Sequence, residues 1–118
     1  MTSTMSPQHI ADPETRRALH DALLRITGRV LVEVRITRTR WPEGLRWVAM
    51  VQAVDRKAPS RRREIPLAHG GQHKKIALLL RDAFPFAKWD RAQDYDVTSG
   101  VLRQHVVQTP SFLRGENL

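Results

Sequence analysis

From Val30 to Thr39 the chain takes up a period of two in its apolar and polar side chains, and after Trp41-Pro42-Glu43-Gly44 an apolar-rich stretch, residues 45–54, follows. A period of two places successive side chains on opposite faces of an extended strand. Proline followed by glycine two residues later supplies the chemistry of a turn between two such strands. Val30, Val32, Val34 and Ile36 are therefore expected on one face and Glu33, Arg35, Thr37 and Thr39 on the other, while residues 45–54, with Trp47, Val48, Met50, Val51 and Val54, return alongside. Such a hairpin is marginal in water by itself. The rest of the chain must cover its apolar face.

Helical periodicity on either side of the hairpin supplies the cover. Asp12-Pro13-Glu14 is a helix-start signature, with a capping carboxylate, a proline at the first helical position and an acid at the positive end of the helix dipole. Ala18, Leu19, Ala22, Leu23 and Ile26 then recur on one helical face, and Gly28 ends the element. Residues 61–67 read as a short third strand, and residues 72–84 as a second helix through Ile76, Leu79, Leu80 and Ala83, stopped by Pro85.

These elements predict an α+β fold: helix, three-stranded antiparallel meander, helix, plus a C-terminal element. The type of that element is undecided over residues 94–107, because residues 101–107 fit a strand through Val101, Arg103, His105 and Val107 as well as a helix through Val101, Leu102, His105 and Val106. At 118 residues the chain has room for one compact unit, expected at residues 12–107. Residues 1–11 read as a flexible N-terminal arm and residues 108–118 as a C-terminal tail.

Twenty Lys plus Arg against twelve Asp plus Glu give a net charge of +8, enough to attract polyanions. Sixteen of the twenty are arginine, whose planar fork grips phosphate bidentately; a GC-rich genome would produce the same excess, so the net charge is the stronger signal. In a meander the first turn lies at the same end as the start of the second helix. Arg38, Arg40, Arg46, His69, His73, Lys74 and Lys75 should then gather at one rim, where free N–H groups of a helix N-terminus also favour phosphate. Solvated charge on loop ends is the competing explanation. Arg61, Arg62 and Arg63, with Arg56 and Lys57, form a second cluster at the opposite turn, where alternate side chains of a strand diverge or blunt a sheet edge. Trp41, between Arg40 and Pro42, is placed either to stack on a base or to fold back on the sheet.

The chain has no cysteine, which excludes disulfides, thiolate nucleophiles and Cys-ligated metals. The four-residue spacing of His69 and His73 is broken by Gly70-Gly71, and Asp90, Asp94 and Asp96 lack the spacing of a calcium loop. No glycine-rich phosphate loop or nucleophile elbow is present. No metal, no cofactor and no catalytic residue is expected. The polar N-terminus does not read as a secretory signal and no apolar run is long enough for a bilayer, so a cytoplasmic location without membrane association is expected.

Gly71-Gln72-His73-Lys74-Lys75-Ile76-Ala77 resembles the opening of the second helix of double-stranded-RNA-binding domains, over about twenty residues. His69 replaces a first glycine, His73 a serine and Leu78 a third lysine of that pattern. The stretch from Ile65-Pro66-Leu67-Ala68-His69-Gly70 to Arg81 also looks like the second half of HicA-type RNA-cleaving toxins. Their catalytic histidine belongs in a Gly-Ser-His before the first strand, where this chain has Thr27-Gly28-Arg29. The resemblance thus implies binding without cleavage.

The function expected from the sequence is that of a small basic nucleic-acid-binding protein, accessory or regulatory and without catalysis. Double-stranded DNA is favoured over RNA, and the contacts are to phosphate. One alternative is a protein-interaction or assembly subunit, with an acidic partner or a homo-oligomer formed through a sheet edge. A third reading, an RNA-cleaving toxin, would use His69 or His73 as acid and base.

Overall fold

The computed structural model describes residues 8–55, 57–58, 60–67 and 70–106. Helix α1 spans Pro13–Thr27. It begins where Asp12 accepts a hydrogen bond from the Thr15 N–H at 2.7 Å, and these bonds from Thr15 hold the Asp12 carboxyl below the usual aspartate range. It ends where Gly28 takes φ 72°, a left-handed conformation that costs glycine nothing, and donates its N–H to the Leu24 carbonyl at 2.7 Å. Helix α2, Gly70–Ala83, buries Ile76, Ala77 and Leu80. The Gln72 side-chain amide donates to the Ile26 carbonyl at 2.8 Å and ties the start of α2 to the end of α1.

Among the described residues there are six strands: β1 Gln8–Ile10, β2 Glu33–Trp41, β3 Gly44–Val54, β4 Arg62–Ile65, β5 Gln93–Asp96 and β6 Val101–Gln104. They form one antiparallel sheet in the order β1-β6-β5-β2-β3-β4. The α+β class stands, but the helix, three-stranded meander, helix layout does not. Half of the sheet comes from outside the expected meander: β1 from the expected arm, β5 and β6 from the C-terminal segment. Gln8–Ile10, inside the expected arm, pairs with β6, and the undecided stretch is extended at β5 and β6, which closes the sheet on β2. The three-stranded layout implied by the RNA-binding resemblance is exceeded for the same reason. The expected tail, 108–118, lies outside the described residues.

Both helices cover one face of the sheet. Leu19, Leu23, Ile76 and Leu80 pack there on Val34, Ile36, Ala49, Val51, Ala53, Tyr95 and Leu102. The other face carries the alternate residues and is held by charge pairs that link β2 to the β5–β6 side and, across β3, to β4. Arg35 Nε donates to Asp94 Oδ1 at 2.7 Å, His105 Nδ1 donates to Asp94 Oδ2 at 2.8 Å, and Arg62 donates to Glu33 at 2.8 Å. Pairs as open to water as these contribute little to stability individually; they neutralise the face. No helix among the described residues is long and apolar enough to cross a membrane.

Candidate nucleic-acid interface

The two longest strands outrun their neighbours. β5 pairs with β2 only from Glu33 to Ile36, and β4 pairs with β3 only from Val51 to Val54. Beyond Ile36, among the described residues, β2 pairs with β3 alone, up to Trp41 opposite Gly44. Five strand steps at about 3.4 Å make this a two-stranded ribbon of roughly 17 Å. Gly44, at φ 129°, turns the chain at its tip in a conformation that favours glycine.

Register decides which way each ribbon residue points. Arg38 lies opposite Trp47 and Arg40 opposite Leu45, on the face that also carries the helices; Arg46 lies opposite Thr39, and Trp41 beside them, on the other. Each face thus holds an arginine on an indole. The Arg38 guanidinium is 5.3 Å from the Trp47 ring centroid, and that of Arg46 is 5.2 Å from Trp41. Such contacts are worth about 0.5–1 kcal/mol at exposed sites, and they reduce the freedom a guanidinium must give up on meeting a ligand. Trp47 is braced in turn: its ring meets Trp89 edge to face at 6.4 Å, and the Trp89 indole N–H donates to the Phe84 carbonyl at 2.9 Å.

Along the ribbon a groove of about 380 Å³ is lined by Leu45, Arg46, Trp47, Gly70 and Lys74. The start of α2 therefore lies beside the start of β3, and Arg46 and Lys74 line the groove together, while Arg38 and Arg40 lie across the strand pair from its Trp47 and Leu45. The first turn of α2 holds no acid, and its leading N–H groups lack partners within the helix. Lys75, exposed, follows Lys74 on α2. Among the described residues Arg38, Arg40, Lys74 and Lys75 make no ion pair, while Arg46 has only the exposed Glu43, at 3.8 Å.

His73 has a different task. β4 stops at Ile65, opposite Val51, so the next outward-facing amide of β3, that of Ala49, has no strand partner; it donates to His73 Nδ1 at 3.0 Å. The accepting nitrogen carries no proton, and the ring is used to lock α2 on the sheet. His69 and Arg56 lie outside the described residues.

Arg61, Arg62 and Arg63 are not part of this surface. β3 carries the chain ten steps, or about 34 Å, from the ribbon tip to their end of the sheet. Arg62 is engaged by Glu33, and Arg63, opposite Ala53, points to the other face. On the open face a cavity of about 210 Å³ is lined by Glu33, Asp94 and Asp96 as well as Arg62 and Arg103, a mixture that does not favour a polyanion. Among the described residues no three His, Asp or Glu side chains converge as metal ligands. Asp96 is occupied in turn formation, accepting from the Thr98 and Ser99 N–H groups at 2.9 and 3.1 Å.

Sequence reasoning missed Leu45, Trp47 and Gly70 as parts of the groove. Trp47 reads as core from its alternation with Ala49 and Val51, and only the early ends of β4 and β5 leave it half-covered. The chain matches no family model, no curated protein and no solved structure.

Proposed function

We propose that the protein binds double-stranded DNA, without catalysis, through the β2–β3 ribbon and the start of α2, as an accessory or regulatory factor. One observation carries the reading: Arg46 and Lys74 line one groove along the β2–β3 ribbon and Arg38 and Arg40 lie across the strands from its Trp47 and Leu45, all four free of strong carboxylate pairing among the described residues. A two-stranded ribbon suits the roughly 12 Å major groove of B-form DNA, whereas the deep, narrow major groove of A-form RNA excludes it. Phosphate contact by four cations supplies affinity that is independent of sequence and falls with salt.

Fluorescence anisotropy against random-sequence duplex DNA, duplex RNA and single strands at two salt concentrations tests this. Tightest binding to duplex DNA, weakened by salt and by Lys74→Ala with Lys75→Ala, is expected. Salt-independent binding, or a preference for duplex RNA, contradicts it. The unpaired outer edges of the ribbon support the rival reading of assembly through a sheet edge. That reading predicts a mass that rises with protein concentration in the absence of DNA.

A further inference from the structure

A ribbon that only tracks phosphate has no use for large apolar side chains at its tip, yet this tip carries two of them beside the exposed Glu43. Trp41 is 46 % exposed and Leu45 53 % exposed, with Pro42 between them at the turn. Neither large side chain has found a place against the core, although solvent-facing turns are ordinarily polar. The Trp41 ring is also pre-set, because Arg46 lies over one of its faces and the register with Gly44 places no side chain directly across the strand pair from it. Glycine at this position holds φ 129° and leaves open space where a Cβ would stand.

Apolar wedges that enter between base pairs, partly unstack them and kink the duplex are a device of minor-groove binders, and an exposed indole at the tip of a cationic ribbon offers the same insertion from the major groove. We infer that Trp41, next to Pro42 at the turn, inserts at a base step of the bound duplex. This deepens the duplex-binding reading and rests on it. Arg38 and Arg40 on one ribbon face and Arg46 on the other then neutralise phosphates on either side of the opened step. Because unstacking costs less where pairing is already broken, the wedge also gives a preference for duplexes carrying a mismatch or a nick, without any base-specific contact.

The test uses the full chain and a short duplex with 2-aminopurine at its central step, alongside the same duplex with a central mismatch. Wild-type protein should raise 2-aminopurine fluorescence at saturation and bind the mismatched duplex about tenfold more tightly, a difference of about 1.4 kcal/mol. Trp41→Ala should still bind the intact duplex within about threefold, as expected for loss of one contact among several phosphate contacts, but without the fluorescence rise or the mismatch preference. Trp41→Phe, which keeps a stacking ring, should restore both in part. Circular dichroism of each variant checks that the hairpin persists. Binding by the wild type with no fluorescence change, or an unchanged rise in Trp41→Ala, overturns the wedge and leaves duplex binding standing. Failure to bind any duplex overturns both.

Discussion

Replacing Arg38 and Arg40 together by Ala removes two of the four cations, Arg38, Arg40, Arg46 and Lys74, assigned to phosphate contact, and the size of the effect follows from counterion release. Four phosphate contacts give a slope of log affinity against log salt of about −3.6, and two give about −1.8. Between roughly 50 and 200 mM salt the wild type should then lose about 150-fold in affinity and the double variant only about 12-fold. Both side chains are exposed and free of ion pairs among the described residues. The cost to folding is confined to the Arg38 contact with Trp47, about 1 kcal/mol or less. Anisotropy titrations of a labelled duplex across this salt range read the slope directly, with Arg61→Ala plus Arg63→Ala as the control pair at the far end of the sheet. An unchanged slope in Arg38→Ala with Arg40→Ala, or a slope that falls instead in the control pair, refutes the reasoning.

Three further outcomes follow from the fold. His73→Ala should lower stability by about 1–2 kcal/mol in denaturant titration, because it strands the Ala49 amide, while leaving the salt slope unchanged; a reduced slope would make His73 a phosphate contact. Burial pushes the Tyr95 phenol up to about 12, so the folded protein keeps a proton that the unfolded chain releases. Stability from this group is whole below the ordinary tyrosine value and is lost as pH rises toward 12, on the order of 2–3 kcal/mol. Tyr95→Phe should abolish that alkaline loss. It should cost under about 1 kcal/mol at neutral pH, since the buried hydroxyl has no partner among the described residues. Asp12→Asn keeps a capping oxygen but not a titratable one. Wild-type α1 should lose stability as pH falls through the lowered Asp12 pKa and the variant should not, read by thermal melts across acidic pH.

Where local chemistry decided the structure, the sequence was readable. Asp12, Pro13 and Gly28 mark both ends of α1, and the alternation of Val34 and Ile36 with Glu33 and Arg35 marks the faces of β2. The same alternation misleads at its start: Val30 is exposed and Leu31 is buried, since the strand proper opens at Glu33. β5, Gln-Asp-Tyr-Asp, offers one apolar residue and therefore no period that decides its type. It is a central strand because Asp94 meets Arg35, 59 residues away in sequence, and His105; nothing local announces that pairing. β1, at three residues, carries no period at all. The site was legible in its residue types but not in its shape, for the ribbon projects only because β4 ends at Ile65 and β5 begins at Gln93.

The central claim is that one contiguous surface, the ribbon and the start of α2, receives the duplex. Amide chemical-shift mapping of the labelled protein during titration with a short random-sequence DNA duplex tests it most directly. Shifts should concentrate in residues 38–47 and 70–75. Shifts centred on Arg61–Arg63 or on the open sheet face around Arg35 and Asp94, or none at saturating DNA, would contradict it.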